Sequence, residues 1–227
     1  MLVRYWMAEQ PMTLGRTETV AAAAEVMRAQ NIRQFPVVDA QGNLVGIVSD
    51  RDIRDAMPSK YLPGGMTVEQ GSGLADLKVE SIMTEDPLCV SPDTAMDYVA
   101  DLLAKNKVGA LPVTDSDGKL VGIITEVDLF RFLVSATGLA RGGPQFAFRL
   151  EARPGPLAAL LEDLRDQNVH FSSVLTSHDL KQAGYRHAYI RVESMGDHSL
   201  GSLVAYLSSE HDLIYYIIGD QVTYLED

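Results

Sequence analysis

Gly46-Ile47-Val48-Ser49-Asp50-Arg51-Asp52 returns 76 positions later as Gly122-Ile123-Ile124-Thr125-Glu126-Val127-Asp128. Each copy is an apolar run that ends at a hydroxyl residue, with a carboxylate three positions on. This is the pattern of a strand that turns into a helix. The same offset of 76 relates Met7-Ala8-Glu9-Gln10-Pro11 to Met83-Thr84-Glu85-Asp86-Pro87, and Pro36-Val37-Val38-Asp39 to Pro112-Val113-Thr114-Asp115. No gap is needed between Met7 and Ile53. Repeats of this size are supersecondary units that cannot bury an apolar face alone, so two copies are expected to pack together and leave a cleft between them.

Within each copy the order of elements repeats. Met12–Leu14 and Leu88–Val90 are short apolar segments. A helix follows, with Thr17 or Asp93 near its expected N-cap. Val20, Ala24 and Met27, and likewise Met96, Ala100 and Leu103, form its apolar stripe. Phe35–Asp39 and Leu44–Val48 read as a hairpin around Ala40-Gln41-Gly42-Asn43, and Leu111–Asp115 and Leu120–Ile124 repeat it. A second helix starts at Ser49 or Thr125. Between the repeats, Met57–Gly73 contains two prolines and four glycines and reads as a loop.

After the Gly142-Gly143-Pro144 break the 76-residue pattern stops. Gln145–Glu151, Val169–Leu175, Tyr185–Glu193 and Leu213–Ile218 read as strands, and Leu157–Gln167 and Ser199–Ser208 as helices. That βαββαβ order predicts a small sandwich of mixed α and β structure. The expected division is residues 1–60 for the first repeat, 61–76 for the loop, 77–137 for the second repeat, 138–145 for a linker and 146–227 for the sandwich.

Composition narrows the function. With 19 Lys and Arg against 31 Asp and Glu, the net charge is −12, and both portions of the chain are acidic. A duplex-binding surface is normally basic, so nucleic acid is disfavoured as a partner. No apolar run approaches the roughly 20 residues of a membrane span. Neither a membrane partner nor a signal peptide is expected, and a cytoplasmic protein is. The single cysteine, Cys89, excludes an internal disulfide and is expected to be a buried structural thiol. The five histidines are 8, 9, 11 and 13 residues apart, which fits no metal-ligand spacing. No nucleophile elbow or Walker-type loop is present, so no catalytic residue is assigned.

The strand-to-helix corner is the candidate site. The backbone N–H groups of a helix N-terminus favour anions, the hydroxyl can bond a phosphate, and the carboxylate can grip ribose hydroxyls. The competing reading is a capping box, with Ser49 or Thr125 as N-cap and Asp52 or Asp128 returning the bond.

These features resemble a tandem pair of cystathionine-β-synthase (CBS) domains over residues 3–136. The resemblance is carried by Ile32-Arg33-Gln34-Phe35-Pro36-Val37-Val38-Asp39, by Gly46 to Ile53, and by their partners from Val108 and Gly122. It implies an α/β fold of two pseudo-symmetric repeats and a homodimer. It also implies an adenosine-containing ligand in the cleft: AMP, ADP, ATP or S-adenosylmethionine. Asp52 and Asp128 would hold ribose, and Ser49 and Thr125 the phosphate or equivalent tail. Ile32, Arg33 and Gln34, with Val108, Gly109 and Ala110 of the other repeat, would line the pocket. Arg33 aligns with Gly109, so the two clefts are expected to differ in phosphate affinity, unless Arg33 is simply a solvated arginine. Arg51 and Arg54 could reach the same phosphates, and Arg131 is the weaker candidate in the second repeat.

Residues 146–227 resemble an ACT domain, through strand order, Arg153-Pro154-Gly155-Pro156-Leu157 and Asn168 to Val174. An amino acid held near Arg153 and Gly155 is one implication, although Ala152 stands where that family often has an acid. Dimerisation through sheet edges or helices is the other. The whole order resembles the bacterial acetoin-utilisation accessory proteins. The expected function is a non-catalytic regulatory sensor relaying ligand occupancy to the ACT-like part or to a partner enzyme. The alternatives are a structural dimerisation module with degenerate pockets and, behind it, an enzyme whose site forms across a dimer.

Overall fold

The computed structural model describes residues 1–56, 76–179 and 182–225. It divides into two compact units, residues 1–130 and 131–227. The expected loop at Met57–Gly73 lies outside the described residues.

The first unit contains β1 (Ala8–Glu9), β2 (Leu14–Gly15), α1 (Val20–Gln30), β3 (Gln34–Val38), β4 (Leu44–Ser49) and α2 (Asp50–Ala56). The second copy supplies β5 (Thr84–Glu85), α3 (Met96–Asn106), β6 (Ala110–Thr114), β7 (Leu120–Thr125) and the start of α4 (Glu126–Ala136). Backbone conformation follows the 76-residue offset. Gln10 and Asp86, Asn31 and Lys107, and Gly42 and Gly118 are all at positive φ. The hairpin turns repeat as well. Asp39 Oδ1 accepts hydrogen bonds from Gln41 and Asn43 N–H, and Asp115 Oδ1 from Asp117 and Lys119 N–H.

The two copies do not form independent sheets. β1 pairs antiparallel with β7, so the start of the first repeat completes the sheet β1-β7-β6 of the second. β5 pairs with β4 and completes the sheet β2-β3-β4-β5 of the first. The exchange extends outward: Val3 N–H bonds to Thr94 C=O, and Val79 N–H to Glu18 C=O. Gly46 and Gly122 lie buried mid-strand at these crossings. A Cβ on Gly46 would lie 2.6 Å from Met83 Sδ, and one on Gly122 would lie 2.7 Å from Met7 Sδ. Their smallness admits the exchanged methionines.

The helix starts differ from the expectation. Thr19, not Thr17, caps α1 by accepting from Ala22 N–H, and α3 begins after Ala95 with no side-chain cap. Asp93 pairs instead with Arg4. The fully buried stripes are Val20, Ala23 and Met27, and Met96, Val99 and Leu103. The i, i+3, i+7 choice replaces i, i+4, i+7 because each helix faces its sheet one residue earlier. Cys89 is exposed, with Thr114 Oγ1 donating to its sulfur at 3.7 Å. It is not a buried structural thiol: like its counterpart Thr13 it is exposed, and the inward position is the next residue, Val90 or Leu14.

The second unit continues through β8 (Gln145–Glu151), α5 (Pro156–Asp166), β9 (His170–His178), β10 (Tyr185–Ser194), α6 (Leu200–Glu210), β11 (Leu213–Ile218) and β12 (Gln221–Tyr224). The antiparallel sheet runs β12-β11-β8-β10-β9. Phe146, Phe148, Ala188, Ile190, Leu160, Leu164, Leu203 and Leu207 form its core. β12 was not expected, since a run of four residues is too short to mark a strand by itself; all four are exposed. Among the described residues, no helix is long and apolar enough to cross a membrane.

One polar link joins the two helices of this unit. Tyr206 O–H donates to Asp163 Oδ1 at 2.5 Å, and His211 Nε2 lies 2.7 Å from Asp163 Oδ2. Partial burial alone would raise the Asp163 carboxyl, but the hydrogen bonds from Tyr206 and His211 outweigh it and hold the group below its ordinary value. A depressed folded value means that this stabilisation is complete above about pH 4. It is lost as pH falls through the folded value. Tyr206→Phe is therefore expected to lower the melting temperature at pH 6 and to converge on wild type as the pH is taken below 3. A gap that stays constant over this range would dismiss the link.

Candidate functional site

β4 delivers Ser49 to the first turn of α2, and Asp52 closes on it. Ser49 N–H and Oγ–H both donate to Asp52 Oδ2, at 2.7 and 2.6 Å, and Asp52 N–H donates to Ser49 Oγ at 3.3 Å. Thr125 and Asp128 reproduce this at 3.0, 2.6 and 3.3 Å. Both corners are thus complete capping boxes.

One further N–H group of each corner is also engaged. Asp50 N–H bonds to Arg33 C=O, and Glu126 N–H to Gly109 C=O. The amides of Ser49, Asp50 and Asp52 have protein partners, which leaves the side chains around them as the larger source of charge.

Those side chains meet in a cavity of about 380 Å³ built from both repeats. The first repeat contributes Arg33, Gln34, Ile47 and the run Ser49 to Asp52, with Arg54. The second contributes Thr84, Lys107, Val108, Gly109, Ala110 and Glu126. Arg33 and Gln34 therefore share one cavity with Val108, Gly109 and Ala110. Gln34 opens β3 and Ala110 opens β6, so the cavity lies at the starts of these two strands. A Cβ on Gly109 would lie 3.0 Å from Gln34 Nε2, so the glycine makes room for the amide of the opposite repeat.

Ile32, Thr125 and Asp128 do not line this cavity. Ile32 packs partly buried against the core of the first repeat. Thr125 and Asp128 form the equivalent corner of the second repeat, where Asp128 is buried. Arg131 lies on α4 beyond that corner. Lys107 and Glu126 were missed as lining residues by the sequence reading. Lys107 immediately precedes the Val108–Ala110 triplet, so widening that triplet by one residue would have found it.

Charge in the cavity runs against the rest of the chain. Arg33, Arg51, Arg54 and Lys107 face Asp50, Asp52 and Glu126, an excess of cations in a protein of net charge −12. Arg54 is held by Asp50 at 3.2 Å.

In the second unit Arg153 is paired with Glu151, and Gly155 has φ 111°, so its glycine serves the turn into α5. Neither lines the hollow of about 710 Å³ bordered by Arg149, His187, Tyr189, Asp212, Tyr215 and Tyr224. Among the described residues, no group of three or more His, Cys, Asp or Glu could hold a metal.

Paired α/β repeats that exchange their first strands and share a ligand-sized cleft define a two-repeat binding module. The CBS domain model matches residues 3–59 and 79–135, half of the chain, and the chain belongs to the CBS domain family. A CBS domain-containing protein of Dictyostelium discoideum is 35% identical over 133 residues, covering 59% of this chain and 91% of that protein. Among solved structures, the acetoin utilization protein AcuB of Vibrio cholerae is 33% identical with a TM-score of 0.51, covering 62% of this chain and 95% of that one. CBSX2 in complex with AMP is 29% identical with a TM-score of 0.50, covering 59% of this chain and 96% of that one.

Proposed function

We propose that this protein is a non-catalytic regulatory module that binds an adenosine-containing ligand in the cleft between its CBS repeats. The observation that carries this reading is the shared cavity. Ser49 and Asp52 of one repeat line it together with Val108, Gly109 and Ala110 of the other. A ligand there touches both repeats and favours the arrangement that fits it, which is the requirement for a sensor. The AMP complex of CBSX2 supports the ligand class. Asp52 Oδ2 is used within the capping box, which leaves Oδ1 for ribose hydroxyls. The cleft's cations favour a ligand with phosphate.

Occupancy would be relayed to the C-terminal unit, which we read as ACT-like from its βαββαβ order, or to a partner enzyme. A homodimer in the cytoplasm fits this reading. α4 leaves Val127, Phe130, Leu133 and Val134 exposed, a stripe suited to helix-to-helix association. The closed capping boxes favour a second reading, a structural dimerisation module in which Ser49 and Asp52 only cap a helix.

Thermal melts of wild type, Asp52→Ala and Asp128→Ala with AMP, ADP, ATP and S-adenosylmethionine separate the two. A ligand at 100 times its dissociation constant adds roughly 2.7 kcal/mol of stability. The sensor reading expects such a shift in wild type and its loss in Asp52→Ala. The structural reading expects no ligand shift, and only the loss of a cap, about 0.5–2 kcal/mol, in each variant. Repeating the melts at two protein concentrations tests the homodimer, whose melting temperature rises with concentration.

A further inference from the structure

The C-terminal sheet carries a row of aromatic residues on the face opposite its core. The register sets Tyr189 of β10 against Ala147 of β8, Ala147 against Tyr215 of β11, and Tyr215 against Tyr224 of β12. Cross-strand partners share a face. Their strand neighbours Phe146, Phe148, Ala188 and Ile190 alternate to the other side and fill the core. The smallest residue stands in the middle of the row. Ala147 is fully buried, and with strands about 4.8 Å apart the tyrosines on either side of it rise about 10 Å apart. The alanine leaves the space between them unfilled. That space belongs to the hollow of about 710 Å³ bordered by Tyr189, Tyr215 and Tyr224.

The rings form walls. Tyr215 and Tyr224 meet at 60° with centroids 5.6 Å apart, and His187 stands at 60° to Tyr189 at 6.1 Å. Burial first, and then Tyr189 and Tyr224, push the Tyr215 hydroxyl above its ordinary value. The ring therefore stays neutral and presents a π face that attracts positive charge. Carboxylates line the same hollow. Asp179, with a side chain only 9% exposed, lies 3.3 Å from His187, and Asp212 lies 2.6 Å from Arg149. With histidine counted as neutral, these two acids outnumber the one guanidinium. At the rim a cation already rests over a ring, since the Arg149 guanidinium is 5.9 Å from the centroid of Tyr185.

We infer that this hollow binds a small organic cation, an ammonium group on a short carbon skeleton. Tyr189, Tyr215 and Tyr224 face it, and Asp179 and Asp212 match its charge. An ammonium midway between Tyr189 and Tyr215 lies about 5 Å from each, inside the roughly 6 Å reach of cation–ring attraction. An anion in the same place meets π faces and carboxylates, both of which repel it. The site lies wholly in the C-terminal unit. It is separate from the cleft between the repeats and requires neither an adenosine ligand there nor any ligand at Arg153 and Gly155. The C-terminal unit is thus a binding unit with a ligand of its own.

Titration of the full chain with choline, 3,3-dimethylbutan-1-ol and phenylalanine, followed by NMR of ring-labelled tyrosine, tests this. The alcohol has the shape of choline without its charge. Choline is expected to bind at least about fivefold more tightly than the alcohol, the scale of one cation–ring contact. Tyr224→Ala should weaken choline by about the same factor, and Tyr224→Phe should keep wild-type affinity because it keeps the ring face. Tyr224 is 71% exposed, so neither change endangers the fold. Asp212→Asn should weaken choline and leave the alcohol as it was. Equal affinity for choline and the alcohol would mark an apolar hollow and overturn the proposal. Tighter binding of phenylalanine than of choline overturns it in favour of an amino-acid site. No binding of choline, or choline binding in Tyr224→Ala that matches wild type, also overturns it.

Discussion

Gly143→Ala is expected to destabilise the C-terminal unit by on the order of 3 kcal/mol, through two effects that add. The residue has φ 78°, where alanine is strained. A Cβ there would also lie 1.9 Å from the carbonyl oxygen of Val192, a backbone atom that cannot swing aside. The same strand is tied down on both sides. Val192 N–H donates to Pro144 C=O at 2.9 Å, and the buried Arg191 donates to Thr137 C=O at 2.9 Å and to Gly143 C=O at 3.1 Å. Relieving the clash therefore breaks the strap that seats residues 137–144 on β10. Gly219 supplies the control. It has φ 62° but nothing within 4 Å of its Cβ position, so alanine there should lose only about 1–2 kcal/mol. Urea unfolding of both variants, followed by circular dichroism, measures the difference. Equal losses would show that conformation alone accounts for Gly143.

The second large effect is expected at the strand crossings. Gly46→Ala and Gly122→Ala should each cost about 1–3 kcal/mol by overpacking. The Cβ would press on a methionine sulfur and come within 3.1 Å of Thr84 O or 3.0 Å of Ala8 O. The sulfur can move, but the carbonyls belong to β5 and β1, whose pairing with β4 and β7 joins the repeats. Truncating the methionine should relieve part of the strain. The Gly46→Ala and Met83→Ala pair is therefore expected to be non-additive by at least about 0.5 kcal/mol. Strict additivity would mean that the glycine is required for another reason. Because the crossings hold the two halves of the cleft together, Gly122→Ala should also weaken the proposed ligand binding, although Met7 and Ala8 do not line the cavity.

The two glycine classes differ in how far they could be read from the chain. Gly46 and Gly122 were visible as a repeated position at the head of the Ser-x-x-Asp motif, with no role attached. Their role is steric, toward Met83 and Met7, because the exchanged strands cross at that point. The capping box and the ligand corner were competing readings of the same four residues. Both boxes are closed, and the cavity still opens beside Asp52.

The 76-residue offset, the apolar stripes of α1 and α3, the hairpins and the βαββαβ order all lie in the sequence, because helices and strands of five or more residues carry a periodicity of their own. So do Asp39 and Asp115, whose side chains bond the turn that follows them. β1, β2 and β5 are two residues long and have no periodicity, so nothing local says which sheet they join. The exchange of β1 and β5 between the repeats depends on pairing partners more than 35 residues away. Lys107 likewise carries no signal by itself. Only the juxtaposition of the end of α3 with the start of β3 and α2 brings it to the same cavity as Arg33 and Arg51. Local propensity and pattern thus determined the pieces and their repetition. Long-range strand pairing decided which pieces face each other, and with it where the charge of the cleft resides.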